Sequence, residues 1–324
     1  MTDAVCDERR PERSGAIQVT VIGGYLGAGK TTLVNHILRT ADARIAVLVN
    51  DFGDINIDED LIASQDGDTI SLANGCICCS LVDGFSSALE TVQALDPVPE
   101  RLVIESSGVA DPATVAAYGH GPGLVLDATI VVVDAETIRK KSRDEYVGDT
   151  IVGQLGSGDI VVMNKVDLIT EDDAAATREW LSDRCPDAVI IDAANGVVDP
   201  AVLFGVVEPR DRGAPHEHVN GDDHEAGDHV HAESLFESWS WSSSEPLTKA
   251  AVQKLMDALP ETVVRAKGLV VVKEEPDQVM ALQRVGQRWT LRPFGPRGAA
   301  DESRIVIIGF HGAVSPAWID ESLS

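Results

Sequence analysis

Lysine and aromatic residues are scarce in this chain: there are eight lysines, and Phe, Trp and Tyr together make up 4% of 324 residues. With 26 Lys and Arg against 53 Asp and Glu, the formal net charge is -27. A basic face for nucleic acid or for an anionic membrane is therefore excluded. No apolar run approaches the roughly 18 residues of a membrane span, and the first sixteen residues are charged, unlike a secretory signal. The expectation is a cytoplasmic protein with no membrane and no nucleic-acid partner. Cysteine is also rare, five in all, yet three of the five fall within four positions. That spacing is not a secretory disulfide framework; in a reducing compartment it points to metal or redox chemistry.

Hydrophobic residues are not lacking. They form 44% of the chain, mostly Val, Ile, Leu and Ala, enough to build a core and to exclude disorder throughout. The length exceeds one typical domain and suggests a larger domain plus a smaller one. The acid excess is dispersed, with 32 Asp over 21 Glu. Such a surface suits a salt-rich cytoplasm, where a Debye length of about 3 Å at 1 M salt removes its self-repulsion.

Short apolar runs recur at Ile17 to Ile22, Ile45 to Val49, Leu102 to Ile104, Thr129 to Val133, Ile160 to Met163 and Val189 to Ile191. They lack polar alternation and are separated by helical stretches, as in Leu33/Ile37 and Val34/Leu38 four residues apart. This is the pattern of an α/β fold with a doubly wound, mostly parallel sheet, buried on both faces. We assign it to residues 15–212. Residues 213–233 change texture: His216, His218, His224, His229 and His231 stand among six carboxylates with few large apolar side chains, and read as a linker. Its imidazoles can collect transition metals, or it can be a plain solvated connector. Residues 234–324 read as a smaller C-terminal α+β domain. It has a strand to Trp241, a helix over Leu247 to Leu259, a strand over Val263 to Val272, a helical or mixed stretch around Met280, and strands at Trp289 and at Arg304 to Phe310.

The strongest motif is Gly24-Tyr25-Leu26-Gly27-Ala28-Gly29-Lys30-Thr31-Thr32, which lies between a buried strand and an amphipathic helix and fits a phosphate loop. Its glycines let backbone N–H groups close on phosphate oxygens at a helix N-terminus. Lys30 would reach the β and γ phosphates, and the Thr31 hydroxyl would ligate Mg²⁺. Asn164-Lys165-Val166-Asp167 follows another buried strand at the edge where α/β sheets bind ligands. A carboxylate at Asp167 can accept from N1–H and the 2-amino group of guanine, a donor pair that adenine lacks. Glu105-Ser106-Ser107-Gly108 ends a third strand: Glu105 can hold Mg²⁺ or its water shell, and Gly108 admits a backbone N–H to the γ-phosphate. In Asn50-Asp51-Phe52-Gly53-Asp54, Asp51 and Asp54 can assist Mg²⁺, position water or ligate a further metal, or can be ordinary surface acids.

Gly75-Cys76-Ile77-Cys78-Cys79 brings three thiols together. That leaves a tetrahedral ion one ligand short, open to water, a fourth side chain or a receiving protein. Cys6 and Cys185 read as bystanders, and His36, His120 and His311 as packing or surface residues.

Taken together, GYLGAGKTT, NDFGD, GCICC, ESSGVADP and NKVD resemble, in order and spacing, the CobW-like metallochaperone GTPases of the SIMIBI class. Arg265-Ala266-Lys267-Gly268 and the closing Ile307-Ile308-Gly309 resemble that family's second domain. The likeness runs from residue 17 nearly to the end. It departs at Tyr25, where the family commonly has Phe, and at Asp51, where it usually has Glu. The resemblance implies slow GTP hydrolysis to GDP and phosphate, coupled to delivery of a transition metal to a client metalloprotein. Zinc is the favoured metal, with Co²⁺ for cobalamin biosynthesis as the alternative. By the same likeness Lys30, Glu105 and Asp51 are catalytic and Thr31 and Glu105 hold Mg²⁺. Gly24, Gly27, Ala28, Gly29, Lys30, Thr31, Thr32, Gly108, Asn164, Lys165 and Asp167 contact nucleotide, and Cys76, Cys78 and Cys79 bind the transferred metal. Homodimer formation is compatible with the sequence. A non-catalytic metal-storage or sensing protein with structural nucleotide, and a nickel-insertion GTPase, are the alternative readings.

Overall fold

The computed structural model describes residues 16–41, 43–49, 81–205, 235–298 and 301–323. Among them, six strands form one wholly parallel sheet: β1 (Ile17–Gly23), β2 (Ile45–Val49), β3 (Arg101–Glu105), β4 (Leu124–Asp134), β5 (Ile160–Asn164) and β6 (Val189–Ala193), in the order β2-β3-β1-β4-β5-β6. The described residues of β2, β3 and β5 are buried throughout, which is why their sequences show no alternation. The doubly wound parallel sheet expected from the apolar runs is what the chain forms.

Both faces of the sheet are covered. On one, α1 (Lys30–Thr40) contributes Leu33, Val34 and Ile37, each fully buried and worth about 1.5–3 kcal/mol. On the other face lie α2 (Leu81–Gln93), α3 (Pro112–Ala116), α4 (Ile138–Lys141), α5 (Gly148–Leu155) and α6 (Glu171–Arg184), through Val92, Val115, Ile138, Ile151 and Leu181. The short α7 (Pro200–Phe204) returns to the α1 face, where Val202 and Leu203 join its core. The strand order reverses at β1 and β4, so the loops at their carboxyl ends open a crevice.

The second unit is an antiparallel sheet of β7 (Phe236–Ser243), β8 (Val263–Val271), β9 (Gln278–Val285), β10 (Arg288–Pro296) and β11 (Ser303–Phe310), in the order β10-β9-β8-β11-β7. Val252, Leu255 and Met256 of α8 (Lys249–Ala258) and Ile319 and Leu323 of α9 (Pro316–Leu323) pack in its core. The stretch around Met280, expected to be helical or mixed, is strand β9: Met280 pairs with Val270 on one side and Pro293 on the other. Alternation there is hidden because the polar Gln283 and Arg284 are also covered, Arg284 being only 1% exposed. Helix α9 adds an element beyond those expected from the sequence.

The two sheets meet at the amino edge of the parallel one, around Asp127 of β4, which is 0% exposed. Its carboxylate accepts from Arg265 Nη1 at 2.7 Å, from Lys267 Nζ at 3.0 Å and from Arg101 Nη1 at 3.2 Å, with Gln283 Nε2 also in contact. Burial alone would raise the Asp127 carboxyl, but Arg265, Lys267 and Arg101 outweigh it and hold it far below the usual range. Beside it, Arg288 grips Asp159 with both ends of its guanidinium, at 2.8 and 2.7 Å.

Candidate nucleotide site

The loop between β1 and α1 is shaped by its glycines. Gly24, Gly27 and Gly29 have φ of 130°, 78° and 101°, the left-handed half of backbone space that side-chain-bearing residues avoid. A Cβ at Gly24 would lie 2.1 Å from the Val132 carbonyl oxygen, and one at Gly29 2.3 Å from Asn164 Nδ2. Helix α1 starts at Lys30 with Gly29 as N-cap and no side-chain cap, so its first-turn N–H groups are not claimed by a capping side chain. A backbone cradle ending in a positive helix terminus is an anion site by construction. Ala28 and Lys30 are buried, Thr31 is half-buried, and Gly27 and Thr32 are exposed.

Sheet pairing brings the end of β3 beside the start of α1. The Thr31 hydroxyl donates to Glu105 Oε1 at 2.8 Å across 74 residues of sequence, and Glu105 is 3% exposed. A hydroxyl and a carboxylate side by side at the mouth of a phosphate loop are hard oxygen donors, and the pair fits Mg²⁺. The loop after β3 returns to the phosphate loop: a Cβ on Gly108 would stand 2.8 Å from Leu26 N.

Asn164, at the end of β5, is 2% exposed and ties three segments together. Its Nδ2 donates to Ala28 O at 2.9 Å, and its Oδ1 accepts from Gly196 N at 2.9 Å. Lys165 follows in a left-handed conformation, φ 65°, and its Nζ meets Asp134 Oδ2 at 2.8 Å. Burial would raise the Asp134 carboxyl, but the hydrogen bond from Lys165 and its charge hold it down. Asp167 is exposed at the same edge. Asn164 is thus committed to the scaffold in this conformation and Lys165 to Asp134, while Asp167 faces outward.

The structure brings together Gly24, Gly27, Ala28, Gly29, Lys30, Thr31, Thr32, Glu105, Gly108, Asn164, Lys165 and Asp167 along one sheet edge. Asp51, Asp54, Cys76, Cys78, Cys79 and the histidines of 213–233 lie outside the described residues. Among the described residues, no group of three or more His, Cys, Asp and Glu is placed to hold a metal ion. Cys185 is buried and donates to Leu181 O at 2.9 Å; burial pushes its thiol up to about 11, so it is inert. His36 Nε2 lies 3.0 Å from Val198 O. No helix among the described residues is long and apolar enough to cross a membrane.

Two residues at this edge escaped the sequence reading. Asp134 ends the buried strand β4 as Glu105 ends β3, and the same strand-end signal marks it. Gln154, in α5, carries no sequence signal of its own. Both line a narrow crevice between the phosphate loop, β4, α4 and α5.

Comparison with known proteins follows the same division. The model of the CobW/HypB/UreG nucleotide-binding domain matches residues 18–192, and that of the cobalamin synthesis protein cobW C-terminal domain matches residues 236–324. A zinc chaperone CobW of a Sinorhizobium species is 31% identical over 338 residues, covering 92% of this chain and 94% of the relative. The zinc chaperone YjiA of Escherichia coli is 33% identical over 198 residues, 58% of this chain and 61% of the relative. Among solved structures, Zn(II)-bound YjiA GTPase from E. coli aligns over 95% of this chain and 98% of its own, with 22% identity and a TM-score of 0.45.

Proposed function

The chain belongs to the CobW/HypB/UreG family, and on that premise we propose that it binds and hydrolyses GTP with Mg²⁺ and uses the cycle to carry a transition metal to a client metalloprotein. The observation that carries the nucleotide half is the 2.8 Å pair of Thr31 and Glu105 beside a glycine-shaped phosphate cradle. In this reading backbone N–H groups of residues 27–31 and the Lys30 ammonium hold the phosphates, and Gly108 closes on the γ-phosphate. Thr31 and Glu105 hold Mg²⁺, which when bound neutralises charge developing on the phosphate oxygens. Asp167 reads guanine, and Asn164 fixes the phosphate loop relative to the base. Asp51 is assigned to water positioning or metal contact beside the phosphates.

The metal half rests on sequence and kinship. Cys76, Cys78 and Cys79 supply thiolates suited to Zn²⁺, with Co²⁺ as the alternative cargo. Relatives over most of the chain are named zinc chaperones, and a yeast relative from Schizosaccharomyces pombe is named a zinc-regulated GTPase metalloprotein activator. Nucleotide and metal are coupled: if GTP changes metal affinity, metal changes GTP affinity by the same factor.

The test is GTPase turnover in molar KCl with Mg²⁺, for metal-free protein and for protein given one equivalent of Zn²⁺ or Co²⁺. The expected result is hydrolysis that responds to metal and loses that response in the Cys76, Cys78, Cys79 to Ser triple variant. Turnover indifferent to metal would reject the coupling, and no turnover with intact metal binding would favour storage or sensing.

A further inference from the structure

The loop after β3, Ser106 to Asp111, has its ends fixed by the neighbouring strand β1 and by its own turn and helix cap. Ser106 N donates to Ile22 O at 2.9 Å, Ala110 N to Ser107 O at 3.1 Å, and Asp111 caps α3 by accepting from Ala113 N at 2.9 Å. Its middle is held from elsewhere. Gln154 Nε2 donates to Gly108 O at 3.1 Å and to Ala110 O at 2.8 Å, across 46 and 44 residues of sequence. Gln154 is 2% exposed. Burying a primary amide costs free energy unless its protons are used, and here both go to one loop, on carbonyls two residues apart. A Leu or Met has about the same volume, so filling space alone does not ask for glutamine.

We propose that Gln154 is a positioning residue for γ-phosphate recognition: its amide clamps the Gly108 and Ala110 carbonyls, fixing the loop so that Gly108 stays against the phosphate loop at Leu26. The assignment rests on the nucleotide reading above. It explains why Gly108, which tolerates no Cβ against Leu26, is not left to wander with the conformational freedom of a glycine. The clamp also ties the loop to α5, which leads through residues 156–159 into β5 and so to Asn164, the second buried amide at this edge. Gln154 therefore stands between the phosphate-sensing loop and the base-side loop, linked to each by protein atoms.

A clamp on the γ-phosphate loop separates GTP from GDP, whereas a residue needed only for folding affects both alike. The experiment measures, on the full chain with Mg²⁺, the Kd for GDP and for a non-hydrolysable GTP analogue, together with kcat, in wild type and in Gln154→Met, Gln154→Leu and Gln154→Glu. Met and Leu keep the volume without the donors; Glu keeps the shape and sets an acceptor against two carbonyls. The expected result is a GDP affinity within about two-fold of wild type, with the analogue's affinity and kcat each reduced about ten-fold, the size of one neutral hydrogen bond. Equal losses for GDP and the analogue, or no loss in any variant that folds, would overturn the assignment while leaving the nucleotide reading intact. A wild type that binds neither nucleotide would overturn the nucleotide reading, and the assignment with it.

Discussion

The two edges of the parallel sheet each bury a carboxylate, and they use it in opposite ways. At the amino edge Asp127 is surrounded by Arg101, Arg265 and Lys267, three cations for one anion, all drawn from the protein itself. At the carboxyl edge Glu105 is nearly as buried, and there it accepts from the Thr31 hydroxyl at the start of α1. Strand β3 carries Arg101 at one end and Glu105 at the other, so one five-residue element serves both edges. A carboxylate ringed by cations of both sheets joins those sheets; in the proposed reading, one placed beside a hydroxyl and a backbone anion cradle holds Mg²⁺. Burial alone therefore does not mark a functional acid. The chemistry of its neighbours does.

Several substitutions can break this contrast. The largest effect is expected from Asp127→Asn, which leaves two buried guanidinium groups and the half-buried Lys267 without their anion and should cost about 3–5 kcal/mol of stability. Chemical denaturation would measure the loss, with GTP turnover per folded molecule retained. Glu105→Gln should do the reverse: Mg²⁺-dependent turnover falls about 100-fold, while the denaturation midpoint moves little.

A smaller effect concerns pH. Burial pulls the Lys267 ammonium down to about 7, against opposition from Asp127, while in the unfolded chain it titrates at its ordinary 10.5. Between those values the unfolded state binds more protons, so stability from this group rises with pH. From pH 7 to pH 9 the gain should be about 2 kcal/mol, and Lys267→Met should remove it, as read from thermal midpoints across that range. Stopping at pH 9 avoids the Cys185 thiol, whose raised value makes it subtract stability above its ordinary 9.0.

Much of the carboxyl edge is legible in sequence because its parts are local. A phosphate loop is nine consecutive residues between an apolar run and an amphipathic helix, and Glu105 and Asn164 are each read from the strand they terminate. What sequence hides is the matching of distant residues. Asp127 and Arg265 are 138 positions apart, and nothing in the neighbourhood of either announces the other. Gln154 is one glutamine on an eight-residue helix; only the folded loop shows that both its protons are spoken for. Strand β9 is masked in the sequence because an interface residue, Gln283, and a covered guanidinium, Arg284, occupy positions where alternation would otherwise place apolar and solvated side chains.

The central claim is that the carboxyl edge is a guanine nucleotide site. A competition titration of GDP against ADP, with Mg²⁺ in molar KCl, on wild type and on Asp167→Ala, tests it most directly. The account predicts at least about a 100-fold preference for GDP, as expected when a paired hydrogen-bond contact to the base is lost, and its collapse in the variant with ADP affinity unchanged. Equal affinity for GDP and ADP in the wild type would contradict it.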